Sequence, residues 1–139
     1  MKTINAEPVE IKTHAVNPAN DKLTLTRRDA PGAGGAHHLY EIEGFDTLNN
    51  PSRLFKDESP YQGIEILFQN GPINEFGVNG LTHEVLLAIV VDRLQCFQKG
   101  PYACRENALA LTKTEEALMW LQKRTRDRMS RNVEGTHQK

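Results

Sequence analysis

Lys123, Arg124, Arg126, Arg128 and Arg131 crowd into nine consecutive residues that hold one carboxylate, Asp127. Arg124 and Arg128 are four apart, so on a helix they lie one above the other on one face. A stacked pair of guanidinium forks suits a diphosphate, because each fork can hold two oxygens at once. A nucleotide also needs an aromatic face for its base and an amide for a base edge or ribose. Phe97 and Asn107, on either side of "QKGPYACRE", offer these. Each residue also has a plainer reading. Positive charge near a helix C-terminus is favourable by about 0.3–1 kcal/mol per residue through the helix dipole alone. Lone Phe and Asn residues commonly serve as core and cap.

The elements that must position these residues can be read from composition. Through residue 80 lie six of the seven prolines and eight of the ten glycines; beyond it are two long stretches almost free of breakers. The fold class expected is α+β, an N-terminal antiparallel β-sheet followed by a C-terminal two-helix hairpin that packs in an oligomer. The length fits a single domain over 1–139, with a β-rich part at 1–80, the hairpin at 81–131 and a tail at 132–139. Strands are expected at Pro8 to Lys12, Lys22 to Arg28, His37 to Glu43 and Gly63 to Phe68, where apolar and polar residues alternate or apolar runs are short. That pattern suits a sheet with one wet face. "DAPGAGGA", residues 29–36, reads as a turn or mobile loop. The order of the strands is not legible.

The first helix is expected from Thr82 to Gln98. Asn79-Gly80 offers positive φ before it, the Thr82 hydroxyl caps it, and Gly100 suits a left-handed end before Pro101. The second runs from Ala103 to Arg131, on the order of 40 Å. Leu111, Leu118 and Thr125 form one row along it, with Thr114 and Leu121 between them, near a seven-residue repeat. Met119 and Trp120 read as core or interface packing residues. Between Val85 and Val91 the first helix is apolar nearly all round, more than one hairpin partner can cover. A second copy of the chain is the favoured cover, most simply as a two-fold dimer. In one antiparallel hairpin Arg124 stands 17 residues from Asn107, roughly 25 Å along the axis. The four candidates can meet at one ligand only where two hairpins cross antiparallel.

Other chemistries find no carrier. Seventeen Lys and Arg against eighteen Asp and Glu give a net charge of -1, so a basic site must be local and a general nucleic-acid or membrane-surface binder is disfavoured. Cys96 and Cys104 make no disulfide framework, "MKTINAEPVE" lacks the apolar core of a signal peptide, and "VLLAIVV" is too short to span a bilayer, which together suggest a soluble cytosolic chain with reduced thiols. His37 and His38 point to opposite faces of a strand, and His14, His83 and His137 match no zinc spacing, so no metal is expected. "GAGGA" lacks the Lys-Ser/Thr of a phosphate-binding loop, no Gly-x-Ser-x-Gly elbow is present, and Glu115 and Glu116 have no acid/base partner. No enzyme and no cofactor is expected.

The run from Phe68 to His137 resembles the C-terminal half of the first-described family of phage Thoeris anti-defence sponge proteins. "NGPI", "GVNG", "RENALALTK" and "EEALMWL" carry the likeness, in order, and "HHLYEIEGF" is a looser match to the family's β portion. The stretch "RENALALTKTEEALMWL" is also similar to the hairpin of phage proteins that sequester the cyclic nucleotides of CBASS defence. The resemblance implies a binding protein that captures glycocyclic ADP-ribose signals intact in the cytoplasm of an infected bacterial host. It implies pairing as dimers, assembly of three dimers into a hexamer in some members, and cyclic trinucleotides at a separate site in some. By position it implies Phe97, Asn107, Arg124 and Arg128 as the signal-binding residues. Two readings compete with it, a small nucleic-acid-binding module whose basic helix end tracks phosphates, and an assembly protein in which that end only completes the dipole.

Overall fold

The computed structural model describes residues 7–17, 19, 21–53, 63–137 and 139. Two compact units divide the chain, residues 1–70 and 71–139.

The first unit is a four-stranded antiparallel meander of β1 (Val9–Ile11), β2 (Thr24–Arg27), β3 (Leu39–Glu43) and β4 (Gly63–Leu67), in that spatial order. All four expected strands form, each trimmed at one or both ends. Register sorts the side chains. Ile11, Leu25, Ile42 and Ile64 stand opposite one another across the sheet, whereas Glu10, Thr26, Glu41 and Glu65 form the neighbouring row. Because successive residues of a strand point to opposite faces, the first row is apolar and the second is the wet face. On the wet face Arg28 Nη2 donates to Glu41 Oε1 at 2.7 Å.

The glycine-rich segment is a built turn. Gly32 N donates to Ala36 O at 2.7 Å, Ala33 to Gly35 make a single 3-10 turn, and Gly34 and Gly35 take φ of 73° and 78°. Asp29 anchors the exit, accepting from the backbone amides of His38 at 2.8 Å and Leu39 at 3.1 Å. Partial burial alone would raise its pKa, but these amides outweigh desolvation and hold the carboxyl below its ordinary value.

The second unit opens with a four-residue helix that composition did not mark, α1 (Ile73–Phe76), followed by α2 (His83–Lys99) and α3 (Arg105–Ser130). The Thr82 hydroxyl accepts from Val85 N at 3.2 Å, as a cap should. Two turn expectations are corrected. Asn79 and Gly80 do not take positive φ; the reversal is made earlier, by Gly77 at 70°. Gly100 is extended, at φ -114°, and closes α2 through its amide on Phe97 O rather than through a left-handed turn. The left-handed position instead follows α3, where Asn132 has φ 58°.

α2 and α3 pack together as the hairpin. The row expected on α3 is its less exposed stripe: Leu111, Thr114, Leu118, Leu121 and Thr125 are half-buried, while their neighbours are exposed. α2 contributes Leu86, Leu87, Val91 and Leu94. No residue of α2 is fully buried, and Val85, Ile89 and Val90 remain exposed, as its all-round apolar character requires of a lone hairpin. Among the described residues no helix is long and apolar enough to cross a membrane.

Candidate functional site

The basic end of α3 is not one uniform patch. Lys123 Nζ and Asp127 Oδ2 pair at 2.8 Å, one turn apart and both exposed, so that cation is largely neutralised locally. Arg124 is exposed. Arg128 is not: only 6% of it is accessible. The difference follows from helix phase. Arg128 lies seven residues beyond Leu121 and fourteen beyond Thr114, so it continues the inward stripe, whereas Arg124 falls between the rows.

Chain following α3 folds back over Arg128. Its Nη2 donates to Val133 O at 2.8 Å and Thr136 O at 3.2 Å, and its Nε to Glu134 Oε2 at 3.3 Å. Val133 is the buried apolar residue of this turn, and the Thr136 hydroxyl donates back to the Val133 carbonyl. The tail then reaches α1. Asn74 N donates to Gly135 O at 3.2 Å, and His137 Nε2 lies 2.8 Å from Glu75 Oε1. Arg128 is therefore the hub of a C-terminal strap, a charge held in place by carbonyls and a carboxylate.

Even so, Arg124 and Arg128 share one open cleft of about 390 Å³. Trp120, Lys123, Arg131 and Lys139 also line it, with Asp127 the one carboxylate. Five cations line the cleft, and although Lys123 pairs with Asp127 and Arg128 with Glu134, the remaining excess of positive charge favours an anion.

Phe97 and Asn107 belong to the opposite end of the hairpin. Phe97 sits in the last turn of α2 and lines a second cleft of about 450 Å³ with Asp92, Arg93, Cys96 and Tyr102. The Arg93 guanidinium lies 5.6 Å from the centre of the Phe97 ring, and Tyr102 meets that ring edge-on at 6.5 Å. Asn107 is in the first turn of α3, half-buried, with its backbone amide donating to Cys104 Sγ at 3.4 Å. One hairpin thus brings Arg124 to Arg128 and keeps Phe97 and Asn107 at its turn, the separation expected from helix length.

Trp120, expected to pack in the core or at an interface, is 58% exposed and lines the basic cleft, so it is not a core residue of this chain. Its spacing of four from Arg124 was the available signal. Glu134 gave none, since its role depends on how the tail turns. Among the described residues no group of three or more His, Cys, Asp or Glu side chains is placed to hold a metal ion.

Comparison with known proteins falls on the same hairpin. Residues 60–126 match the family described as Acb2/Tad1, hairpin domain. That span includes Phe97, Asn107 and Arg124 and ends just before Arg128. A curated relative, Thoeris anti-defense 1 of Bacillus phage SBSphiJ7, is 60% identical over 72 residues, which is 52% of this chain and 51% of that protein. The chain thus spans about half the length of the curated relative it matches. With the hairpin formed and its sequence matched, residues 60–126 carry the Acb2/Tad1 hairpin domain, and over about half its length the chain is similar to a Thoeris anti-defence protein.

Proposed function

We propose that this chain is a phage anti-defence protein that captures a cyclic nucleotide immune signal and holds it uncleaved, in the cytoplasm of the infected host. The signal class is glycocyclic ADP-ribose, so that the Thoeris effector is starved of its activator. The observation that carries this reading is the basic cleft in which Arg124 meets Arg128, on a hairpin of the Acb2/Tad1 family. Arg124 supplies an exposed fork, and Arg128 a fixed charge already oriented by the tail.

The site is completed by a second copy. Each charge-assisted bond contributes about 1.5–3 kcal/mol and a stacked base about 1–3 kcal/mol. Competing with a receptor calls for roughly nanomolar affinity, about -12 kcal/mol. After the cost of association, two arginines on one chain fall short of that. Two hairpins crossing antiparallel bring Phe97 and Asn107 of one copy to Arg124 and Arg128 of the other, and the exposed apolar residues of α2 give the contact a driving force. The partner is therefore the chain itself, as a homodimer, with three dimers able to build a hexamer. Cyclic trinucleotides of the CBASS type are a second ligand class at a separate site.

Calorimetric titration with purified glycocyclic ADP-ribose isomers and with cyclic trinucleotides tests the reading. Stoichiometric, roughly nanomolar binding of a glycocyclic ADP-ribose is expected. Binding of no member of either class would overturn it.

A further inference from the structure

Trp120 is the chain's single tryptophan, and core packing does not explain where it stands. It lies off the half-buried row of α3 and is 58% exposed at the wall of the basic cleft. Phe97 already carries a guanidinium over its ring and a second ring at its edge. The Trp120 indole has no aromatic or cationic partner among the described residues, so its π-face is open. Arg124 follows it by one helical turn, about 6 Å along the axis. A nucleotide whose phosphates lie on the Arg124 fork must direct its ribose and base along the helix or away from it. In the direction of Trp120 the base meets a large flat apolar surface at one nucleoside's reach.

We propose that Trp120 is a ligand-contacting residue, whose indole stacks the base of a diphosphate-bearing nucleotide held at Arg124 of the same chain. This rests on the capture reading given above and adds to it the element that selects a nucleotide over a bare polyphosphate. The cations of the cleft attract any multivalent anion, whereas stacking rewards only those that bring a base. Phe97 of the second copy then faces the same ligand from across the dimer.

Because no other tryptophan contributes, emission excited at wavelengths beyond tyrosine absorption reports on Trp120 alone. The experiment titrates the whole chain with a glycocyclic ADP-ribose and, separately, with inorganic pyrophosphate, following emission and calorimetric heat together. Emission should be quenched by the nucleotide at the calorimetric stoichiometry and left nearly unchanged by pyrophosphate. Trp120→Ala should weaken nucleotide binding on the order of tenfold or more, and Trp120→Phe should keep most of the affinity. Both variants should keep the wild-type mass in light scattering. Tight calorimetric binding with unquenched emission would overturn the proposal while leaving capture intact, as would wild-type affinity in Trp120→Ala. Weaker binding accompanied by a changed mass would assign Trp120 to the subunit interface instead. If the nucleotide gives no heat with the wild-type chain, the capture reading fails and takes this one with it.

Discussion

Arg124 and Arg128 are the same residue type four positions apart, yet one hydrogen-bonds its own chain's tail and the other is open to solvent. Substitution should separate them. Arg124→Ala should remove signal binding and leave the melting temperature within about a degree of wild type, because exposed side chains contribute little to folding. Arg128→Ala should lower both binding and stability, the latter by about 2–4 kcal/mol, since it strands two carbonyls and Glu134. Paired calorimetry and thermal unfolding check both. Equal stability losses in the two variants would contradict the difference in burial. That difference was legible in principle, since residues 114, 121 and 128 stand at one heptad position. The tail's grip on Arg128 was not, because it is made largely by backbone carbonyls, which leave no side-chain pattern.

Among the elements, the β-rich part shows how far local pattern reaches. Alternation located all four strands, but their order as a simple meander depends on pairing, which no single strand encodes. The loop at 29–36 is more ordered than its glycines suggest, because Asp29 accepts two backbone amides across its exit. The folded pKa of Asp29 is lowered below its unfolded value. Its contribution is therefore whole above the unfolded pKa and is lost as pH falls through the folded one. Asp29→Asn should destabilise by about 1–2 kcal/mol near neutral pH, with the gap to wild type closing in acid. Melting temperatures measured from neutral pH down to below the carboxylate range check the sign. A second element-level test lies at the β3 exit, where Gly44 has φ 99° and an added Cβ would collide with the Lys22 carbonyl. Gly44→Ala should cost about 1–3 kcal/mol in denaturant unfolding. The turns around α2 were misjudged because Asn79-Gly80 and Gly100 have permissive types, and type alone does not force positive φ.

For the whole molecule, the proposed function makes the hairpin an assembly unit. The chain leaves Val85, Ile89, Val90 and Leu109 exposed on α2 and α3, and keeps the four candidate contacts at opposite hairpin ends. Light scattering should give at least twice the 15.7 kDa of one chain. Shared sites also predict complementation. Phe97→Ala and Arg124→Ala chains, each inactive alone, should together regain about a quarter of wild-type capacity when co-expressed, because mixed dimers keep one intact site of two. Failure to regain any would place the whole site on one chain. The central claim, capture without cleavage, is met most directly by one measurement: incubate the protein with a glycocyclic ADP-ribose, remove unbound ligand by filtration, denature by heat and chromatograph what is released. The account predicts recovery of the unaltered signal, stoichiometric with the sites. A linear or shorter product would contradict it and make the protein an enzyme.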